Sequence, residues 1–370
     1  MGQEEGGSPI SKRYAVIIIV MVVSCIVLIG ISYLMLDILS GMVVTPKTLV
    51  KEVAGEGALS VPLEGMVVLS MQVSEGGRFL AYMAKPEAGG NAVLRVVGLE
   101  GESREALFDL EIQGTRLAWL GSSTNLVYED AGDIHLLGVV EGTSENLTAS
   151  PAYDADPIPS PDGRYILWTI SGRGSESERP GFWVMAADGS GKEFLADTQA
   201  LPAWDPAGGK VVSRSDIISY SMDEDISCFL QMAIPGREGW EYYAECDSDV
   251  RYIWWPAQDN LLYVAPEAVK DQDTIKGVWV LVEEPGKLKR VASTDGLGGD
   301  TALYLFYPSL QGERLAYVGD EGMEYMDYEE RAIYRYPGLG ARPPLAWNEA
   351  AGEIYYSGQG GIYRVALGGE

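Results

Sequence analysis

One phrase recurs seven times along this chain: an apolar stretch ending in an aromatic or turn residue, a tight turn, then a second apolar stretch. The clearest copy is Pro159-Ser160-Pro161-Asp162-Gly163-Arg164-Tyr165-Ile166-Leu167-Trp168. Looser copies span Val73–Tyr82, Trp119–Tyr128, Trp204–Val212, Trp255–Tyr263, Tyr307–Tyr317 and Trp347–Tyr356. The turn chemistry has a mechanism. Proline presets φ at the first central position, aspartate bonds the nearby backbone, and glycine accepts a positive φ. Strands repeating every ~45 residues imply a radial array of small sheets. The expected fold is all-β, a seven-bladed β-propeller of four-stranded blades over residues 58–370, preceded by a single N-terminal transmembrane helix.

The helix expectation rests on Tyr14–Leu36, a run without charge. At about 1.5 Å per residue it is long enough for a bilayer core of about 30 Å. Lys12 and Arg13 precede it and Asp37 follows, so residues 1–13 are expected to be a cytoplasmic tail and the rest extracytoplasmic. A cleaved signal would have a shorter apolar core and a small-residue site. Val22-Val23-Ser24-Cys25 is similar to a lipidation motif, but Ile26-Val27-Leu28-Ile29 continues the apolar run where a polar linker belongs. An uncleaved anchor fits best. Residues 37–57 then form a stalk, with Thr45-Pro46 opening a short helix that Gly55 ends.

A net charge of −27 argues against nucleic acid as a partner and for a well-solvated surface. In the third repeat unit the strands are expected at Asp156–Pro159, Tyr165–Ile170, Gly181–Ala186 and Glu193–Ala196. In the second they fall at Arg116–Leu120, Leu126–Glu129, Asp133–Val139 and Glu145–Thr148. Four segments carry a family likeness: Asn146-Leu147-Thr148, Pro151-Ala152-Tyr153-Asp154, Ser160-Pro161-Asp162-Gly163, and Trp183-Val184-Met185-Ala186-Ala187-Asp188-Gly189. Together they resemble the repeat of TolB-type β-propellers. The likeness is specific in this unit, degenerate in the others, and covers residue 58 to the C-terminus. It implies a protein-interaction platform outside the cytoplasm. TolB carries an additional α/β domain and a cleaved signal, which this chain lacks, so its partners are not carried over.

The final unit offers three strands, Pro344–Trp347, Glu353–Ser357 and Ile362–Leu367. Counting back from the Gly77 turn by the spacing of the third unit reaches Ser60-Val61. Residues 58–63 are therefore expected to supply the missing outer strand and cover an open edge.

Little in the chain points to chemistry. The one histidine, His135, sits in an apparent strand, and a histidine-based triad, relay or metal site needs more partners. Gly-x-Ser-x-Gly is absent. Asp271-Gln272-Asp273 opens like a calcium loop but lacks the glycine spacing and terminal glutamate. Asn146-Leu147-Thr148 is formally a glycosylation sequon, but the repeat already accounts for its Leu-Thr pair. No metal, cofactor or catalytic residue is expected.

Two expectations are sharper. Cys228 and Cys246 lie symmetrically about Arg237 in an apparent hairpin, Ile226–Ile234 and Glu241–Cys246, so a regular register opposes them at disulfide distance. The strands of each blade, taken from the centre outward as A to D, place the B–C and D–A connections on one face and the A–B turns on the other. Three consecutive B–C connections are long: Ser171–Pro180, Asp216–Asp225 and Pro266–Lys276. They would present Arg173, Arg179, Asp223, Glu224, Asp225, Asp271 and Asp273 as a binding surface. The reading is a membrane-anchored extracytoplasmic scaffold, tethered through residues 14–36 and binding another protein. Two alternatives stay open: an enzyme, such as a carbohydrate-active one, using carboxylates in the central channel, and a sensor signalling through a partner membrane protein.

Overall fold

The computed structural model describes residues 49–101, 106–171, 179–196, 200–217, 227–237, 239–246, 252–254, 261–270, 273–281, 288–293, 306–309, 312–319, 322–327, 329–330 and 332–368. For 200–201, 215–217, 227–229, 244–246 and the strands between 252 and 293, the backbone alone is described. The expected tail 1–13 and membrane helix 14–36 lie outside these residues. No helix among the described residues is long and apolar enough to cross a membrane.

The strands form antiparallel sheets in chain order. The first sheet is Met66–Val73, Phe79–Pro86, Ala92–Gly98 and Ala106–Ile112. The second is Leu117–Trp119, Asn125–Asp130, Asp133–Gly138 and Thr143–Asn146; the third is Tyr153–Pro159, Tyr165–Ser171, Gly181–Ala186 and Glu193–Ala196. The fourth is Ala200–Trp204, Val211–Ile217, Ser227–Ala233 and Glu241–Cys246; the fifth is Tyr252–Trp254, Leu261–Lys270, Asp273–Leu281 and Leu288–Ser293. The sixth contains Tyr307–Pro308, Arg314–Gly319, Gly322–Asp327 and Ala332–Tyr336. The seventh contains Arg342–Asn348, Glu353–Gly358 and Gly361–Ala366, with Ala58–Pro62 antiparallel to Gly361–Ala366 as its outer strand.

The expected uniform set of seven four-stranded blades is corrected to six four-stranded sheets and one five-stranded sheet. The extra strand is Leu49–Glu52, which runs parallel to Ala332–Tyr336 in the sixth sheet. It also replaces the helix expected within the 37–57 stalk. An open sheet edge is a template for pairing, and here the preceding chain covers it. Lys51 Nζ donates to Glu330 Oε2 at 2.8 Å and to Tyr334 OH at 2.6 Å, and Val53 N donates to Arg335 O at 2.8 Å. Gly55, read from sequence as a helix terminator, instead lets the chain pass flush over the seventh sheet. A Cβ there would lie 2.8 Å from Val365 Cγ2, and one at Gly57 only 1.7 Å from Tyr356 OH. A second correction concerns Pro266–Lys276. It is not a loop but the tip of a continued hairpin, with Ala268 opposite Ile275 and Lys270 opposite Asp273.

In the first, third and sixth sheets the recurring turn has one geometry. Ser74, Ser160 and Ser309 each accept a backbone bond from the glycine three residues on, at 2.8, 2.9 and 2.9 Å. Each serine Oγ also accepts the N–H of the residue five positions on: Phe79 at 3.1 Å, Tyr165 at 2.9 Å and Arg314 at 3.1 Å. In the fourth sheet Asp205 takes the serine's place, its Oδ1 accepting from Gly209 N at 2.7 Å and Lys210 N at 2.6 Å. The turn glycines Gly77, Gly163, Gly208 and Gly312 have φ of 69°, 70°, 68° and 74°, a region costly for other residues.

Neighbouring sheets join through apolar clusters and through a directional bond at their innermost strands. Trp119 Nε1 donates to Gln72 O at 3.2 Å, Trp204 Nε1 to Ile158 O at 2.9 Å, and Trp347 Nε1 to Tyr307 O at 2.8 Å. Each tryptophan ends or nearly ends a strand A and reaches the strand A of the preceding sheet. Around these bonds, Met83, Leu94, Leu126 and Leu137 fill the space between the first and second sheets, and Leu80, Tyr82, Tyr355 and Ile362 that between the seventh and first.

Replacing Trp347 with Phe should lower stability by about 1–2 kcal/mol, the cost of leaving the partly buried Tyr307 carbonyl without its donor. The urea midpoint measures it, and an unchanged midpoint would show that this bond does not couple the sixth and seventh sheets. Deleting residues 58–63 should lower the melting temperature of the whole domain, because the seventh sheet loses a strand and buried Val61 and Leu63 leave its core.

Candidate functional site at the channel mouth

The two faces of the ring differ. On the A–B face, successive turns abut. A Cβ on Gly77 would lie 2.6 Å from Asn348 Oδ1, one on Gly121 2.9 Å from Gly163 N, and one on Gly208 2.5 Å from Asp162 Oδ1. The seventh and first, second and third, and third and fourth sheets thus meet closely at these turns. On the opposite face, where B–C and D–A connections emerge, polar groups from the second and third sheets converge instead.

Arg116 stands just before Leu117–Trp119, and Glu129 is near the end of Asn125–Asp130. Their backbones are joined by Glu129 N donating to Arg116 O at 3.1 Å. Tyr153 and Asp156 come from the first strand of the third sheet. Asp156 has φ of 52° within a register shift between Ala155 and Ile158, an uncommon conformation for a non-glycine residue that re-aims the chain. Arg116 Nε lies 3.2 Å from Asp156 Oδ1, both side chains being more than half exposed. Glu129 is only 4% exposed and accepts a bond from Tyr153 OH at 2.9 Å. Gly114 is required beside it, since a Cβ there would lie 1.7 Å from Glu129 O.

Burial pushes the Glu129 carboxyl above the usual carboxylate range; the Tyr153 bond opposes this, and nearby Asp156 adds to it. Tyr153 is raised chiefly by its bond to Glu129. Across the ring, burial pushes Tyr307 up to about 12, and the charge of Arg116 acts against that. The mouth therefore holds an acid with a raised pKa, a second carboxylate and a guanidinium within mutual electrostatic reach.

The residues of the family-like motif serve the scaffold. Asp154, 1% exposed, accepts from Trp168 Nε1 at 2.7 Å and Ser150 Oγ at 2.8 Å. Asn146 Nδ2 donates to Asp133 Oδ2 at 2.8 Å while its Oδ1 accepts from Ala149 N at 2.8 Å, so the sequon amide is engaged in the turn. His135 stacks on Tyr128 with ring centroids 5.2 Å apart.

Of the residues expected on the binding surface, Arg173, Asp223, Glu224, Asp225 and Asp271 lie outside the described residues. Asp273 begins a strand opposite Lys270. Arg179 is exposed, its guanidinium 3.9 Å from the centre of the Phe194 ring and its carbonyl accepting from Trp183 Nε1 at 2.9 Å. It thus packs on the outer strands of the third sheet rather than at the mouth. Arg116, Glu129, Tyr153 and Asp156 escaped sequence reasoning. Their one signal was charge at the ends of otherwise apolar strands, Glu129-Asp130 above all. Cys228 and Cys246 are paired in register, and their side chains lie outside what is described.

No family model and no curated protein matches the chain. Solved structures do match. A puromycin-hydrolyzing peptidase of Mycobacterium tuberculosis is 14% identical with a TM-score of 0.54, over 83% of this chain and 53% of that one. Kuenenia stuttgartiensis hydrazine synthase is 11% identical with a TM-score of 0.53, over 85% of this chain and 98% of that one. TolB from Acinetobacter baumannii is 16% identical with a TM-score of 0.48, over 78% of this chain and 66% of that one. At these identities the likeness concerns the fold alone. The chain is a β-propeller. It spans about two-thirds of the TolB chain and about half of the peptidase.

The raised pKa of Glu129 has a testable sign. Folding favours its protonated form, so its contribution to stability is fully present below the unfolded pKa of about 4.3. That contribution is lost as pH rises through the higher folded value. Glu129→Gln should therefore match the parent near pH 4 and become the more stable of the two as pH rises to 8. Urea unfolding across that range reads the difference, and a constant gap would exclude a buried, destabilised carboxylate.

Proposed function

We propose that the chain is a membrane-anchored extracytoplasmic scaffold that binds another protein on the face where the B–C and D–A connections emerge. The observation that carries this reading is the asymmetry of the ring. Turn glycines in contact with their neighbours occupy one face, while Arg116 and Asp156 stand half-exposed on the other. The net charge of −27 favours a partner with a basic surface. The anchor is the apolar segment 14–36, with residues 1–13 cytoplasmic. Its support is the flanking charge pattern.

A second reading has its own observation. Glu129, buried and with its carboxyl pushed above the usual range, lies within electrostatic reach of a second carboxylate, Asp156, and a pair of carboxyl groups is what acid–base cleavage of a glycosidic bond needs. The peptidase and the TolB structure among the similar folds do not separate an enzyme from a scaffold.

Site-specific photo-crosslinking in the native membrane tests the first reading. A photoreactive residue at Asp156 should capture a discrete protein, and one at Glu75, on the A–B face, should not. Capture from Glu75 alone, or from neither position, would overturn it. The chain should also stay with membranes through a high-salt wash. If instead purified protein hydrolyses a glycoside and both Glu129→Gln and Asp156→Asn abolish turnover, the enzyme reading replaces the scaffold.

A further inference from the structure

We propose that Cys228 and Cys246 form a disulfide that staples the fourth sheet where its binding-face connections leave it. The inference rests on the extracytoplasmic reading, since a disulfide persists outside the reducing cytoplasm. Its structural basis is the backbone register. Cys228 is the Cα partner of Cys246 in the antiparallel pair of Ser227–Ala233 and Glu241–Cys246. Directly opposed residues in such a pair have Cα atoms about 4.5 or 5.5 Å apart, depending on the hydrogen-bonding type. Both spacings fall within the roughly 4.4–6.8 Å that disulfides span.

The opposition depends on a bulge. Near the turn, Gln231 pairs with Tyr242 and Met232 with Glu241. Continued without a break, that frame would set Cys228 against Glu245. The register shifts between Leu230 and Gln231, and beyond it Leu230 pairs with Ala244 and Cys228 with Cys246. The irregularity thus brings together two of the chain's three cysteines. The third, Cys25, belongs to the apolar segment 14–36.

The position also matters for binding. Ser227–Ala233 begins where the connection holding Asp223, Glu224 and Asp225 ends, and Glu241–Cys246 ends where the connection to Tyr252–Trp254 begins. By strand alternation both junctions lie on the face assigned to the partner. A bond there holds the outermost strand to its neighbour at the point where that connection ends.

The chemistry is thiol–disulfide exchange with an exported disulfide oxidoreductase. One cysteine thiolate attacks the enzyme's disulfide, forming a mixed disulfide and releasing one enzyme thiolate. The second cysteine then attacks the mixed disulfide, and the enzyme leaves as a dithiol carrying the two electrons.

The test uses the full chain taken from its native membrane, denatured in N-ethylmaleimide before any reduction, digested and weighed. The expected result is one linked species containing the Cys228 and Cys246 peptides, separated by dithiothreitol. A second sample of folded, detergent-purified protein is reduced and then equilibrated with oxidised glutathione. If the native thiols are free but the pair forms under glutathione, the pairing stands and the extracytoplasmic reading fails. If both thiols remain free after oxidation of the folded protein, or either links to Cys25, the pairing is overturned.

Discussion

Indole N–H bonds between successive innermost strands are the constraint on which three junctions of the ring depend, first to second, third to fourth and sixth to seventh. Apolar packing between two sheets is strong but has no direction, and it would tolerate a range of angles between them. Trp119, Trp204 and Trp347 each place one donor on one carbonyl of the preceding sheet. That fixes the inner ends of the sheets relative to each other, and the clusters outside then fill a wedge of defined opening. The tryptophans sit next to the recurring turn, so one local sequence phrase supplies both the hairpin and its coupling to the neighbour. In the third sheet Trp168 acts differently, with its indole bonded to buried Asp154 rather than to a neighbouring sheet's carbonyl.

The same economy of space separates the two faces. On one face the turns close tightly against each other at Gly77, Gly121 and Gly208. On the other face, the positive φ of Asp156 and the neighbouring register shift break the regular strand and present a carboxylate to Arg116. Glu129 is held beneath them by Tyr153, in surroundings that disfavour its charge. A local departure from ideal strand geometry thus coincides with a corner of the ring where burial pushes a carboxyl above its usual range.

Much of this was legible in the sequence because it is written in local chemistry. Gly181–Ala186 and Glu193–Ala196 fall where their alternation and flanking turns place them. Counting repeat spacing pointed to a strand at residues 58–63, and Ala58–Pro62 is the strand paired with Gly361–Ala366. What was not legible depends on distant partners. Leu49–Glu52 has no strand signature beyond two apolar residues. Its state is set by the open edge of Ala332–Tyr336, nearly three hundred positions away. Gly55 was read as a helix end, whereas tyrosine and valine side chains of the sixth and seventh sheets require glycine at 55 and at 57. The turn residues at Pro266 and Gly277 masked a continuing hairpin. The mouth residues were hidden for a similar reason: Arg116 and Asp156 are separated by a whole repeat, and only the packing of adjacent sheets brings them together.

The parallel strand at the entry to the domain has a mechanical consequence. Leu49, Val50, Lys51 and Glu52 are each matched to a residue of the sixth sheet, and the chain then crosses to the outer edge of the seventh. Tension drawn along that strand from its N-terminal side would load these four pairings together, in shear, rather than peeling them one by one. The load would pass into two adjacent sheets before reaching the ring's inner strands. A pull on the chain ahead of Leu49 would therefore be borne at the rim, away from Arg116, Glu129 and Asp156.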